Sequence, residues 1–276
     1  MDILTQFKNN NNFIQRVVAA LVLAPVLLLV LLYAQPWFWL EVTVLVTVLA
    51  AIEYWSLIPL NTNLLKISFL SLLLLSLWAC SLVFPYWQTV GLILWILIVF
   101  AEWTFPVSQK YWGFSVLIAG MALILWPFFI QSSAHIYFLS QGKALLIYLL
   151  FLVWAADIGA YFMGKIFGRH KLIPELSPGK SVEGVLGGIV LGLIVATIAY
   201  VYFKPYSITI WFSLAVCTLI VSVVGDLCIS MFKRRCNLKD TGNLIPGHGG
   251  ILDRLDSLIA AAPIFYFGLT YIPLGI

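Results

Sequence analysis

The sequence predicts an all-α polytopic integral membrane protein with about nine transmembrane helices and a cytoplasmic N-terminus. Three observations predict it. Of 276 residues, 63% are hydrophobic and only 9% charged, where soluble domains carry about a quarter charged residues. The apolar residues fall in long continuous runs, not in the short alternating segments of a membrane barrel. The basic residues divide very unevenly between the two sides that such a topology creates.

A membrane-spanning helix needs about 20 mostly apolar residues. In order, the runs are 13–33, 37–59, 67–84, 89–105, 114–131, 144–163, 185–203, 208–231 and 255–273. Most of their edges carry Trp, Tyr or Phe, the residues of the membrane interface. The first run follows a polar tract, Asn9 to Asn12. Its apolar core is too long for a cleavable signal, and the Y-A-Q-P-W after it offers no small-x-small site. Runs 67–84 and 89–105 are the shortest. With nine crossings and the N-terminus inside, thirteen of the fifteen Lys and Arg lie on the inner side. Only Lys143 and Lys204 fall outside, so the positive-inside rule supports both the count and the orientation.

These features exclude an ordinary cytosolic enzyme, a disordered chain and a secreted disulfide scaffold. The net charge of +4 is too small to argue for nucleic acid. Cys80, Cys217, Cys228 and Cys236 form no C-x-x-C pair, which argues against zinc. There is no internal repeat of the kind that builds many transporters. The chain divides into 1–143, a set of N-terminal transmembrane helices serving as a lipid-facing scaffold, and 144–276, a catalytic set. Two basic inner loops, 164–184 and 232–254, concentrate the charge of the second part.

Four carboxylates lie in or at the ends of apolar runs. Asp157 falls late in 144–163 and Asp226 late in 208–231, while Asp253 and Asp256 open the last run. All four thus approach the inner face at similar depth. Ionised groups at membrane depth need a partner or a polar cavity. Mg²⁺, alone or with a second cation, suits such a cluster because it takes oxygen ligands and bridges phosphates. The competing reading is that Asp253 caps a helix and Asp256 answers its dipole. Lys233, Arg234 and Arg235 follow a helix end, where cations are favoured anyway. The P-G-H-G-G stretch from Pro246 to Gly250 would bring backbone N–H groups close to a phosphate, or would simply reverse the chain. His248 has no second metal-ligand residue beside it, so a phosphate hydrogen bond suits it better than a metal. His135, in an outer loop, and His170 read as plain solvated residues. The S-P-G-K-S stretch ends like a P-loop, but Pro174 stands where that motif needs its first Gly. Glu41, Glu53 and Glu102 read as snorkelling or locally paired side chains.

The stretch from Ser230 to Asp256, S-M-F-K-R-R-C-N-L-K-D-T-G-N-L-I-P-G-H-G-G-I-L-D-R-L-D, resembles the signature of the phosphatidate cytidylyltransferases. The positions that match are Ser230, Lys233, Arg234, Lys239, Asp240, Gly242, His248, Gly249, Gly250, Asp253, Arg254 and Asp256. A second block, A-D-I-G-A-Y-F-M-G-K from Ala156 with S-P-G-K-S-V-E-G from Ser177, is similar to the family's other well-known region. Two positions depart from the pattern. Ile229 stands where family members often carry Glu, and Ile158 where a small hydroxyl residue is expected.

The resemblance implies condensation of CTP with phosphatidate to give CDP-diacylglycerol and pyrophosphate. It implies an enzyme of the bacterial cytoplasmic (inner) membrane, working on the cytoplasmic side as a homodimer among membrane lipids. Asp226 and Asp253 are then the expected metal ligands, with Asp256 and Asp157 as further ligands or supports. Lys233 and Arg234 would bind phosphate. Ser177, Lys180, Ser230, Lys239, Asp240, His248, Gly249, Gly250 and Arg254 would line the nucleotide or lipid headgroup. The alternative is an ion-coupled transporter whose intramembrane Asp residues bind the coupling cation; it leaves the basic loops and the Ser230–Asp256 spacing without a purpose.

Overall fold

A computed structural model describes residues 21–22, 24–33, 35–244 and 249–271. In chain order the helices are α1 (Ala24–Tyr33), α2 (Pro36–Leu57), α3 (Asn63–Leu82), α4 (Phe84–Trp103), α5 (Gln109–Trp112), α6 (Ser115–Tyr137), α7 (Gly142–Phe167), α8 (Val182–Phe203), α9 (Ile208–Arg235) and α10 (Leu252–Tyr271). Each apolar run found in the sequence falls on a helix, although the beginning of 13–33 and the end of 255–273 lie outside the described residues. Among the described residues, seven helices, α2, α3, α4, α6, α7, α8 and α9, are long and apolar enough to cross a membrane by length and composition. α10 carries Asp253, Arg254 and Asp256 in its opening turns. The single-turn α5 is an addition that no apolar run announced.

The helices differ in how much they bury. In α6 and α7, 56% of the apolar window is buried, against 22% in α3 and 28% in α4. So α6 and α7 run through the middle, and α3 and α4 turn Leu, Ile, Val and Trp side chains outward. Lipid solvates apolar surface as well as protein does, so close packing and polar contacts must hold such helices together. Large rings supply part of that packing. Tyr148 of α7 stacks on Trp211 of α9, with ring centroids 5.0 Å apart, and meets Phe265 of α10 edge-on. Two buried indoles add hydrogen bonds between helices: Trp211 Nε1 donates to Ala196 O at 2.9 Å, and Trp126 Nε1 to Thr47 Oγ1 at 3.0 Å.

Small residues decide the closest contacts. A Cβ on Gly159 of α7 would lie 2.5 Å from Gly187 O of α8, and one on Gly188 would lie 2.7 Å from Ala156 O. Only hydrogen at these positions lets the two backbones meet. A Cβ on Gly225 of α9 would likewise collide with Asp256 O of α10. These contacts flank Asp157, Asp226 and Asp256, so the same glycines that pack the helices bring the acids together. His135 differs from its expected place in a solvated loop. It belongs to α6, stacks on Phe84 at 4.2 Å, and its Nδ1 lies 2.7 Å from Gln131 O.

Candidate active site

One end of α7, α8, α9 and α10 encloses a cavity of about 420 Å³. Asp157, Asp226, Asp253 and Asp256 all line it, as does Asp240 from the loop before α10. Lys180, Lys233 and Arg254 line it as well. The rest of the wall includes Ala156, Ala160, Gly188, Leu219 and Val223, which belong to membrane-length helices. A charged floor therefore continues into an apolar, small-residue wall.

The loop 168–181 presents Lys180. Its two ends are tied by their own backbone: Leu172 N donates to Lys180 O at 3.2 Å and Val182 N to His170 O at 2.9 Å. Ser181 then caps α8, its Oγ accepting from Gly184 N at 3.1 Å. Glu183 accepts from the backbone N of Arg169 and His170 and pairs with the His170 ring at 2.5 Å. So His170 is exposed, as expected, but paired. Placed this way, Lys180 Nζ meets Asp226 Oδ2 at 2.7 Å. Ser230, one turn further along α9, donates a long 3.4 Å bond to Asp226 Oδ1.

The loop 236–251 is held differently. Both oxygens of Asp253 are engaged: Oδ1 accepts from Lys233 Nζ at 2.7 Å, and Oδ2 accepts from Thr241 N at 2.8 Å and Gly250 N at 3.0 Å. This is the capping and pairing role that the sequence left open for Asp253. Glu53, from α2, makes the second anchor. Its carboxylate accepts from Ile251 N at 2.6 Å and Leu252 N at 2.8 Å, at the start of α10 where backbone donors lack helical partners. Thr241 Oγ1 lies 2.9 Å from Glu53 Oε2 and 3.0 Å from Asp253 Oδ2, its hydroxyl shared between the two carboxylates. Gly249, at φ +87°, adopts a left-handed conformation in which a side chain would be strained.

Electrostatics follow from the lining. Five carboxylates face three cations, and two of those cations, Lys180 and Lys233, are already paired with Asp226 and Asp253. Asp226 and Asp157 both act on Asp256 as like charges, while Lys180 and Arg254 attract Asp157. The cavity is thus short of positive charge. Oxygen-only carboxylate donors suit a hard divalent cation, and the Lys180 ammonium on Asp226 stands where positive charge is required. Among the described residues, however, no three His, Cys, Asp or Glu side chains are placed to hold one metal ion. The four acids share a cavity without closing on a point.

Of the residues singled out in the sequence, Asp157, Lys180, Asp226, Lys233, Asp240, Asp253, Arg254 and Asp256 line the cavity. Ser177, Ser230, Arg234, Lys239, Gly249 and Gly250 lie outside its wall. Arg234 braces the first loop instead, its Nε donating to Leu176 O at 3.1 Å. Arg235 ties α9 to the N-terminal half through Gly113 O at 2.6 Å, Leu57 O at 3.1 Å and Ser115 Oγ at 2.9 Å. His248 lies outside the described residues. Ile229 is buried and Ile158 exposed, and neither carries a polar group to the site.

Glu53 and Glu102 overturn the reading of snorkelling acids: they are 2% and 3% exposed. A signal for Glu53 was present. It shares a helix face with Ala50, Tyr54 and Leu57, all buried, and a lone acid on the apolar face of a span needs a donor waiting for it.

Helices able to cross a membrane, joined to an acid-rich cavity braced by lysines, define a membrane-embedded protein whose polar chemistry sits at one end of α7–α10. The chain belongs to the Cytidylyltransferase family, whose sequence profile matches residues 14–272. It is similar to the phosphatidate cytidylyltransferase of Haemophilus influenzae, 43% identical over 183 residues, covering 59% of this chain and 61% of that one. The phosphatidate cytidylyltransferase of Pseudomonas aeruginosa is 42% identical over 180 residues, covering 63% and 65%. That of Staphylococcus aureus is 45% identical over 128 residues, covering 45% and 48%. The chain's matches therefore span less than two thirds of these relatives.

Proposed function

We propose that the chain transfers the cytidylyl group of CTP to phosphatidate, giving CDP-diacylglycerol and pyrophosphate. The single observation that carries this reading is the cavity's double character. Its charged part suits phosphates, and its wall of Ala156, Ala160, Gly188, Leu219 and Val223 continues onto membrane helices, where acyl chains could lie. The names of the relatives support it.

In the reaction a phosphate oxygen of phosphatidate attacks the α-phosphorus of CTP. The bond from that phosphorus to the β-phosphate oxygen breaks, and pyrophosphate leaves with the electron pair. The attacking monoester is largely ionised at neutral pH, since its second pKa lies near 6, so no strong base is needed. The chain's part is to position two anions and compensate their charge. Lys180, Lys233 and Arg254 face the phosphates, with Arg234 setting the loop that carries Lys180. Ser177, Lys239, Asp240 and the Gly249–Gly250 backbone sit on the two loops that border the nucleotide, Ser230 steadies Asp226, and His248, outside the described residues, is proposed for a phosphate hydrogen bond on sequence grounds.

Mg²⁺ is proposed as the cation of this cavity on the chemistry of its donors alone: Asp226, Asp256 and Asp157 would have to draw together to hold it, and Asp253 would have to give up a present contact. When bound it supplies the positive charge that the lining lacks and polarises phosphoryl oxygens. We further propose nine crossings, a cytoplasmic N-terminus, a site at the cytoplasmic face of a bacterial inner membrane, and a homodimer. The distribution of Lys and Arg supports the orientation.

The test is incubation of the purified protein with cytidine-labelled CTP, phosphatidate and Mg²⁺, followed by solvent extraction. Label in the lipid phase is the expected result. Its absence with every divalent ion tried would overturn the reading, and cation uptake by proteoliposomes without lipid label would favour a transporter.

A further inference from the structure

A second cavity opens at the same end of the bundle as the first. Lys233 and Arg235, two residues apart on α9, line one each. The second is an open basin of about 670 Å³ where α2, α5 and α9 meet. Ser56, Gln109, Lys110, Arg235 and Cys236 give it polar walls, and no Asp or Glu is part of its lining. The two cavities are therefore opposite in charge: carboxylates outnumber cations in the first, and the second has cations alone. Neither cation is neutralised among the described residues. The Lys110 ammonium lies 4.9 Å from the centre of the Tyr111 ring and makes no hydrogen bond or ion pair. Arg235 donates to neutral acceptors, the carbonyls of Gly113 and Leu57, the hydroxyl of Ser115 and the sulfur of Cys236. These take four of the five N–H groups of a guanidinium, which leaves one on Nη2.

The segment that presents Gln109 and Lys110 is held in place. Ser108 Oγ donates to Ala101 O at 2.6 Å and accepts from Trp112 Nε1 at 3.1 Å, and the buried Trp112 ring packs on Phe232 of α9. Tyr111 and Phe114, beside these residues in the chain, are exposed. Exposed aromatic rings at the ends of membrane-length helices belong at the level of lipid headgroups. The basin also adjoins loop 236–251. Cys236 is the loop's first residue, and Ser56 Oγ lies 2.8 Å from Thr241 O and 2.7 Å from Glu53 O. A ligand in the basin thus touches the side chain that joins α2 to the loop.

We propose that this basin binds the phosphate of an anionic phospholipid headgroup, and that the bound lipid steadies loop 236–251 from outside the active-site cavity. Arg235 and Lys110 supply the charge, and the Gln109 amide, which makes no hydrogen bond among the described residues, supplies a further donor. Basic pockets among membrane helices take anionic headgroups in this way. The exposed aromatic rim favours a lipid over a free phosphate, because it holds the basin where headgroups lie. The inference stands apart from the reaction proposed above, since no residue of the basin lines the first cavity.

The experiment titrates the purified whole chain, in neutral detergent, with phosphatidylglycerol, phosphatidylcholine or inorganic phosphate. Native mass spectrometry counts bound lipid, and limited proteolysis reports on loop 236–251. Phosphatidylglycerol should bind more tightly than phosphatidylcholine and should slow cleavage in 236–251. Lys110→Gln should weaken phosphatidylglycerol by about fivefold, the effect of one lysine near an anionic lipid surface, and should remove the protection at the same lipid concentration. Lys110 is exposed and holds no other element in place, so the variant should fold. Lys66→Gln is the control: its ammonium also lies over a ring, that of Trp55, but outside the basin. In salt that screens distant charges it should change the affinity by less than about twofold. An equal loss in both variants would reduce the effect to general surface charge and overturn the site. Equal binding of the two lipids, protection of the loop by inorganic phosphate alone, or bound phosphatidylglycerol with no protection would each overturn the proposal as well.

Discussion

The two loops that border the cavity are built on opposite plans. Loop 168–181 closes largely on itself and its near neighbours, with Arg234 of α9 as a brace from further along the chain. Its backbone bonds join residues close in sequence, and its N-cap, Ser181, belongs to it. Loop 236–251 is closed by groups from elsewhere: Asp253 beyond it and Glu53 from α2, nearly two hundred residues earlier. Each loop is nevertheless latched by one lysine–aspartate pair at 2.7 Å, Lys180–Asp226 for the first and Lys233–Asp253 for the second. The difference teaches that the N-terminal helices do more than meet lipid. One of the two loops depends on them for its shape.

The largest effect is expected where the first loop meets the cavity floor. Asp226→Asn keeps the size of the side chain and removes the charge that holds Lys180. Losing a preorganised electrostatic group at a reacting centre costs on the order of a hundred- to a thousandfold in turnover. Under the proposed function, kcat for CDP-diacylglycerol formation should fall by that much, with the thermal unfolding midpoint little changed. Turnover near wild type would mean that the first loop needs no latch.

Next comes the anchor of the second loop. Glu53→Ala leaves Ile251 N, Leu252 N and Thr241 Oγ1 without their acceptor. Hydrogen bonds to charged groups contribute about 1.5–3 kcal/mol each, and stranded buried donors add to the loss, so about 3 kcal/mol of stability should go. Denaturant unfolding in detergent would measure it. Limited proteolysis should show new cleavage in 236–251 and none in 168–181. Equal loosening of both loops would break the distinction between them.

What the sequence disclosed follows the same division. The apolar runs were legible because each is long and uninterrupted, and the shared depth of Asp157, Asp226, Asp253 and Asp256 followed from where each stands in its run. Lys180 was legible through the S-P-G-K-S stretch and its resemblance to the family's second block. The burial of Glu53 was legible from its apolar face, but its partners were not, because they lie in a different half of the chain, and periodicity within one helix says nothing about which distant donor its acid will meet. The role of Asp253 was legible only as two alternatives, since an acid at a helix start serves a cap and a cation equally well. Arg234 and Arg235 obeyed the positive-inside rule, and that rule hid their hydrogen bonds to Leu176 O and Gly113 O.

A smaller effect is expected where α7 and α8, the helices on either side of the first loop, touch. Gly159→Ala puts a methyl 2.5 Å from Gly187 O, and relieving it must push the helices apart. Overpacking of this kind costs about 1–3 kcal/mol. Because Asp157 lies two residues away, the shift should also lower kcat, which the unfolding midpoint and initial rates would record together. The second loop, anchored on α2 and α10, should keep its protection from protease.

The smallest effect isolates the first loop's own cap. Ser181→Ala removes one acceptor from Gly184 N at a buried position, and loss of an N-cap costs about 1 kcal/mol. Glu183 still receives the backbone N of Arg169 and His170, so the turn stays tied and only the start of α8 frays. Lys180 precedes that start by two residues, so its ammonium should wander on Asp226 while Lys233 stays fixed on Asp253. A modest rise in KM for CTP, about twofold to fivefold at 1.4 kcal/mol per tenfold, with kcat nearly unchanged, is the expected signature. A fall in kcat as large as that of Asp226→Asn would instead make the self-closed loop as dependent on one distant contact as its neighbour is on Glu53.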